Sequence, residues 1–168
     1  PGTVYSQQER HLRAIQDFRE PQRAFIKDLE SELDKWMTKG DLIVIGIDAN
    51  KDIQTGDVNA MICNKGLIEV HADRHPQLPT ESTCEKNTQA IPVDGIWASP
   101  SLDCLAAGYY GYGELVIAKT DHRMIWADFS HESALGFKLP EPTYSTPQRL
   151  TLTEPRVVQP YNLSHIHI

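Results

Sequence analysis

The run Leu42-Ile43-Val44-Ile45-Gly46-Ile47 constrains this chain more than any other segment, because it is apolar, largely β-branched and stops abruptly at Asp48-Ala49-Asn50. Such a run predicts a strand buried on both faces, which needs a packed layer on each side. The residues upstream offer one layer. Residues 6–39 read as helix with a break near Pro21. Leu12, Ile15 and Phe18 mark one face of the first segment. Phe25, Ile26, Leu29, Leu33, Trp36 and Met37 recur at helical spacing over the second. The aromatic members of that stripe read as core packing. Pro21 suits the first turn of a helix, where its missing N–H costs nothing, and Gly40 suits the left-handed end of one.

Downstream, Asp57 is placed to cap a short helix through Val58, Met61 and Ile62, closed at Asn64-Lys65-Gly66. Residues 71–92 read as a polar loop. Val93-Asp94-Gly95-Ile96-Trp97-Ala98 predicts a second strand, ended by Pro100. Residues 102–112 and 115–118 are weaker strand candidates around a Gly/Tyr-rich turn, and Met124-Ile125-Trp126-Ala127-Asp128-Phe129 predicts a last strand. After Ser130 the character changes: Pro140, Pro142, Pro147, Pro155 and Pro160 fall in a polar stretch without amphipathic period. The expected division is a domain over 1–130 and a Pro-rich linker or extended arm over 131–168. His165 and His167 alternate near the end, but two histidines on a tail are expected to be inert. The fold class expected is α/β in the broad sense, α+β included.

Length and composition narrow the function. At 168 residues, with 40% hydrophobic and 23% charged, the chain has the makeup of a soluble domain with a real core. No apolar stretch is long enough for a membrane helix, and no secretory signal is legible, so an intracellular (cytoplasmic or nuclear) protein without a membrane partner is expected. The opening Pro1-Gly2 lacks a Met, which suggests an excised or processed piece. Cys63, Cys84 and Cys104 are odd in number and far apart, and read as buried thiols in a reducing compartment. The formal charge of −7 excludes a simple basic module that grips nucleic acid by its backbone. It leaves room for an acidic enzyme acting on phosphates, provided divalent cations neutralise its site.

Three short motifs carry chemistry. Asp48 and Asn50 stand where the first strand runs out, and loops at strand ends commonly build sites. A carboxylate there can manage a proton or orient a water; a carboxamide two residues on can bond a phosphoryl oxygen. Read alone, the same pair equally makes a turn. Thr120-Asp121-His122 precedes the last strand. Asp121 offers hard oxygens suited to Mg²⁺ or Mn²⁺, and His122 a charge for a phosphorane-like transition state. Asp94, a carboxylate in an apolar strand, needs a partner if buried, and His122 is the obvious one. That pairing is also open to a purely structural reading.

A strand ending in D-x-N, a later V-D-G-I-W-A-S strand, and T-D-H before a last apolar strand together resemble the C-terminal half of the endonuclease/exonuclease/phosphatase family. DNase I-like nucleases, apurinic-site endonucleases and inositol-phosphate phosphatases share that fold. The helix ahead of the D-x-N strand is where the family places one, and Ser82-Thr83-Cys84 looks like its small threonine-containing loop. The resemblance covers about residues 1–130. It implies the C-terminal half of a four-layer α/β sandwich and in-line attack at phosphorus assisted by Mg²⁺ or Mn²⁺. Carried over by position, Asp48 would activate the water or protonate the leaving oxygen, and Asn50 would bind the scissile phosphate. Asp94 would hold His122 against the phosphoryl oxygen, and Asp121 would be at or near the metal.

Two departures stand out. Ile47 separates Gly46 from Asp48, where the family commonly writes G-D-x-N, and the family's N-terminal half, with its principal metal-binding Glu, has no counterpart in this sequence. Little or no activity is therefore expected from this chain without that half. The Pro-rich connector resembles that of non-LTR retroelement polyproteins, which favours DNA as substrate and nicking as the reaction. The alternatives are a phosphatase of inositol phosphates or lipids, and a non-catalytic remnant acting as an interaction module. A Rossmann-type nucleotide site is disfavoured, because no glycine fingerprint follows the strand over 42–47.

Overall fold

The computed structural model describes residues 2–86, 90–114 and 120–138. Two helices open the chain, α1 (Val4–Ala14) and α2 (Pro21–Lys39), separated where expected. Pro21 sits in the first turn of α2, and Gly40 ends it in the left-handed conformation with φ 77°. Arg19 pins the break by bonding Asp17 and reaching Asp28 at 3.0 Å. α1 buries no residue, and Ile15 and Phe18 are exposed, so the apolar face expected there does not form a core contact.

In α2, Leu33 is fully buried, and Ile26 and Leu29 pack against the same core. Phe25 and Trp36, expected inside, are 52% and 36% exposed. The geometry accounts for both: at 3.6 residues per turn they fall on one flank, roughly 60–80° round from Leu33. The stripe in the sequence is wider than the strip that meets the sheet.

Strands β1 (Val44–Asp48), β2 (Ile68–Glu69) and β3 (Asp94–Ala98) form an antiparallel sheet in the order β1-β3-β2. Ile43, Ile45 and Ile47 turn toward α2 and toward α3 (Asp57–Asn64), joining Leu33, Ile53, Val58, Ile62, Leu67 and Trp97. The opposite face of β1 is open: Val44 is 51% exposed, and Gly46 and Asp48 are exposed beside it. β1 is therefore buried on one face only, contrary to the expectation from its composition. β-branched content favours extended backbone whether one face or two are covered. In α3, Gly56 occupies the N-cap and Asp57 the first helical position, so the acid favours the helix dipole instead of capping. Trp97 is fully buried, and its indole N–H donates to Asn59 Oδ1 at 2.9 Å. Its ring lies against Gly95, where an added Cβ would come within 2.6 Å of it. No larger residue fits at 95.

A second antiparallel pair joins β4 (Cys104–Tyr109) to β5 (Ile125–Phe129). The sequence treats 71–92 as loop, but the segment contains most of α4 (Val70–Arg74), whose His71 is buried. From α4 and the residue after it, Arg74 donates to the Leu105 carbonyl at 2.8 Å. His75 Nε2 lies 2.9 Å from the Ala107 carbonyl, and His71 Nε2 3.2 Å from that of Gly108. Val70, Ala98, Leu102 and Ala107 form the core between these elements. The compact unit runs to Lys138. Residues after Ser130, expected to be arm, begin with α5 (His131–Leu135), capped by the Ser130 side chain and ended at Gly136. Ser133 Oγ accepts the Asp103 N–H at 2.9 Å, and Ala134 packs on the second core, which ties α5 to β4. The strand candidate at 115–118, the Pro-rich stretch from 139 and the two terminal histidines lie outside the described residues.

The fold is mixed α+β with antiparallel strands. Among the described residues, no helix is long and apolar enough to cross a membrane.

Candidate active site

Asp48 is the last residue of β1, and in the antiparallel register it stands opposite Asp94, the first residue of β3. Beyond it the chain turns sharply. Asn50 takes a left-handed φ of 50°, and its N–H donates to Asp48 Oδ1 at 2.9 Å. Asn tolerates that conformation better than most residues. The turn reading of Asp48-Ala49-Asn50 is thus literally present.

Asp94 is fixed from beneath by Thr83, which is fully buried. The Thr83 hydroxyl oxygen accepts the N–H of Val93 at 2.9 Å and of Asp94 at 3.0 Å. The Thr83 segment also runs antiparallel to the T-D-H motif. Cys84 bridges His122, Glu85 N–H donates to the Asp121 carbonyl at 2.8 Å, and Arg123 N–H to the Thr83 carbonyl at 2.9 Å. One short segment therefore carries Asp94 on one side and His122 on the other. Arg123 clasps it further: its guanidinium pairs with Glu81 and lies 4.7 Å from the Tyr112 ring centre, while Tyr112 donates to the Ser82 carbonyl.

The expected pairing is made. His122 Nδ1 lies 2.8 Å from Asp94 Oδ2. The carboxylate only accepts, so Nδ1 carries the proton and Nε2 is left for other work. The hydrogen bond to Asp94 holds the imidazole pKa above its usual value. Partial burial opposes that, and the charges of Asp94, Asp48 and Asp121 reinforce it. Asp48, Asp94 and His122 each offer one atom within 4.8 Å of the others.

Asp121 is not part of this group. Its carboxylate pairs with Lys86 at 2.9 Å, and that lysine holds its pKa below the usual carboxylate range. Asn50 and His122 do share a cleft of about 520 Å³, whose walls carry Lys51 and Lys86. Sequence reasoning missed the two lysines as lining, since nothing in their spacing sets them apart from other surface lysines. It noted Thr83 only through the family resemblance; a buried hydroxyl leaves no mark in a polar stretch.

Two carboxylates and an imidazole at this spacing can hold a divalent cation. The hard oxygens of Asp48 and Asp94 suit Mg²⁺ or Mn²⁺, and a carboxylate pair leaves coordination positions for water or phosphate oxygen. Without a metal the same cluster pairs a proton-managing carboxylate with an oriented, readily protonated imidazole. No family model, curated protein or solved structure matches the chain.

Proposed function

We propose that this chain is part of a metal-assisted phosphodiesterase of the endonuclease/exonuclease/phosphatase type, and that its substrate is DNA. The observation that carries this reading is the His122–Asp94 pair set beside Asp48, the cross-strand neighbour of Asp94, with Asn50 lining the cleft that His122 also lines. Asp48 takes the proton of an attacking water or returns one to the leaving oxygen. Asn50 donates its amide to a non-bridging phosphoryl oxygen. His122, oriented by Asp94, faces the charge that grows on phosphorus oxygens during in-line attack. A divalent ion on Asp48 and Asp94, when bound, supplies further neutralisation of that charge.

The finer fold assignment, half of a four-layer sandwich, draws support from the open face of β1 around Val44 and Gly46. A second sheet laid on that face would complete the burial its sequence suits. The activity belongs to a longer protein that supplies this layer and a further acidic metal ligand.

A second reading, a non-catalytic remnant, is favoured by one observation: Asp121, the residue expected at the metal, is held by Lys86 instead. Supercoiled plasmid distinguishes the two. The longer protein nicks it with Mg²⁺ and not with EDTA, and the 168-residue chain does so weakly or not at all. A longer protein inert on plasmid with Mg²⁺ refutes the nuclease reading, and one that instead releases phosphate from inositol phosphates moves the substrate.

A further inference from the structure

His122 stands on a short ladder. Two backbone hydrogen bonds hold it to the Thr83 segment, from the Glu85 N–H to the Asp121 carbonyl at 2.8 Å and from the Arg123 N–H to the Thr83 carbonyl at 2.9 Å. The bridge between Cys84 and His122 belongs to no strand. So short a pairing opens at little cost on its own. The imidazole, with 30% of its side chain exposed, does not hold the backbone closed. A further contact must do so if Nδ1 is to stay on Asp94.

Arg123 makes that contact. Successive side chains of an extended segment take opposite faces, so the residue after His122 anchors the segment from the other side. Its own side chain is only 12% exposed. The guanidinium pairs with Glu81 on the Thr83 segment, and lies 5.6 Å from the ring centre of Tyr109 and 4.7 Å from that of Tyr112. Tyr109 ends β4, and Tyr112, in the turn beyond, donates to the Ser82 carbonyl at 2.9 Å. One planar cation thus joins the T-D-H motif, the Thr83 segment and the end of β4. None of its three side-chain partners lines the cleft that His122 lines. Arg123 Nε is buried without a hydrogen-bond partner. An unbonded buried N–H costs stability, and a lysine would reach Glu81 without one. Contact of the flat guanidinium with two rings offsets that cost, and a lysine does not reproduce it.

We propose that Arg123 is a positioning residue for His122: held by Tyr109, Tyr112 and Glu81, it keeps the T-D-H backbone against the Thr83 segment and the imidazole on Asp94. It acts through the backbone and touches none of the reacting groups. The positioning stands on the geometry of this chain, and its catalytic consequence rests on the phosphodiesterase reading.

The test follows the His122 Nδ1–H proton by NMR in the 168-residue chain at one fixed pH, reading its chemical shift and its exchange with water by saturation transfer. Arg123→Met keeps an apolar stem and removes the planar cation. It moves the signal toward that of an unbonded imidazole N–H and speeds exchange about tenfold, the scale of losing a desolvated cation–π contact. Arg123→Lys restores the charge opposite Glu81 without the stacking, and falls between the two. Glu81→Gln, at an exposed side chain, gives a smaller acceleration and serves if Arg123→Met does not fold. Ile62→Val weakens the first core and leaves the His122 signal where it was. An unmoved proton in Arg123→Met, or in Glu81→Gln should Arg123→Met not fold, overturns the proposal. So does an equal change in Ile62→Val, or an Arg123→Lys chain identical to the parent. In an active longer protein Arg123→Met lowers kcat for plasmid nicking with KM little changed, and an unchanged kcat overturns the proposal as well. A longer protein that does not nick at all removes the phosphodiesterase reading and leaves the ring proton to decide this inference.

Discussion

Asp48 and Asp94 oppose one another across the β1–β3 ladder, two carboxylates in direct register at the open end of a sheet. Like charges so placed destabilise an antiparallel pair. His122 offsets part of that repulsion, bonding Asp94 directly and lying within 4.8 Å of Asp48, which also receives one backbone N–H from Asn50.

Asp48→Asn therefore stabilises the chain. The amide oxygen can still accept the Asn50 N–H while the repulsion disappears, a gain of about 0.2–1 kcal/mol on the scale of cross-strand pairs. Urea unfolding followed by circular dichroism measures it. In the longer protein the same substitution abolishes nicking. Stability gained where activity is lost is the mark of a site, and a loss of stability in Asp48→Asn would contradict the argument.

Thr83→Val keeps shape and removes the oxygen that two N–H groups share. Leaving the Val93 and Asp94 donors unsatisfied costs about 1–3 kcal/mol, and Thr83→Ser restores most of it. Denaturant midpoints of the three proteins at equal slope give the comparison.

The His122 imidazole titrates above its ordinary 6.5 in the folded chain, chiefly through its hydrogen bond to Asp94. Its contribution to stability is thus complete below the unfolded value and is lost as pH rises through the higher folded one. Proton–carbon NMR of the His122 ring locates the folded value, and Asp94→Asn brings it down. An unshifted titration in the parent chain, or an unmoved one in Asp94→Asn, contradicts the pairing as the cause.

Trp97 and Trp36 separate in stability. Trp97→Ala empties the centre of the first core and costs about 3–5 kcal/mol. Trp36→Ala, on the flank of α2 with about a third of its surface in solvent, costs clearly less than Trp97→Ala. Thermal unfolding of the two variants settles the order.

Much of this was legible from residue types. Pro21, Gly40 and the apolar period place α2, and the three apolar runs place β1, β3 and β5, because those signals act over a few neighbouring residues. The Asp94–His122 pair was legible too, since a carboxylate in an apolar strand has few remedies. Burial of individual faces was not. Val44 looks like Ile45 in sequence, and only the layers actually present decide which is covered. Thr83 was illegible for a related reason: its role depends on Val93 and Asp94, ten and eleven residues away, and no periodicity records such a bond. Asp121 shows the limit of transferring a role by motif, because Lys86, outside the motif, claims its carboxylate.

The side chains that Arg74, His75 and His71 extend to three carbonyls of β4 have a further consequence. A strand at the end of a sheet is a template for recruiting another chain, and proteins commonly blunt it with charge, proline or a bulge. Here the acceptors an incoming strand would use at Leu105 and Ala107 are already engaged by Arg74 and His75. Aggregation by strand addition must first strip those donors away, so the helix after β2 works as a guard against polymerisation as well as a piece of core.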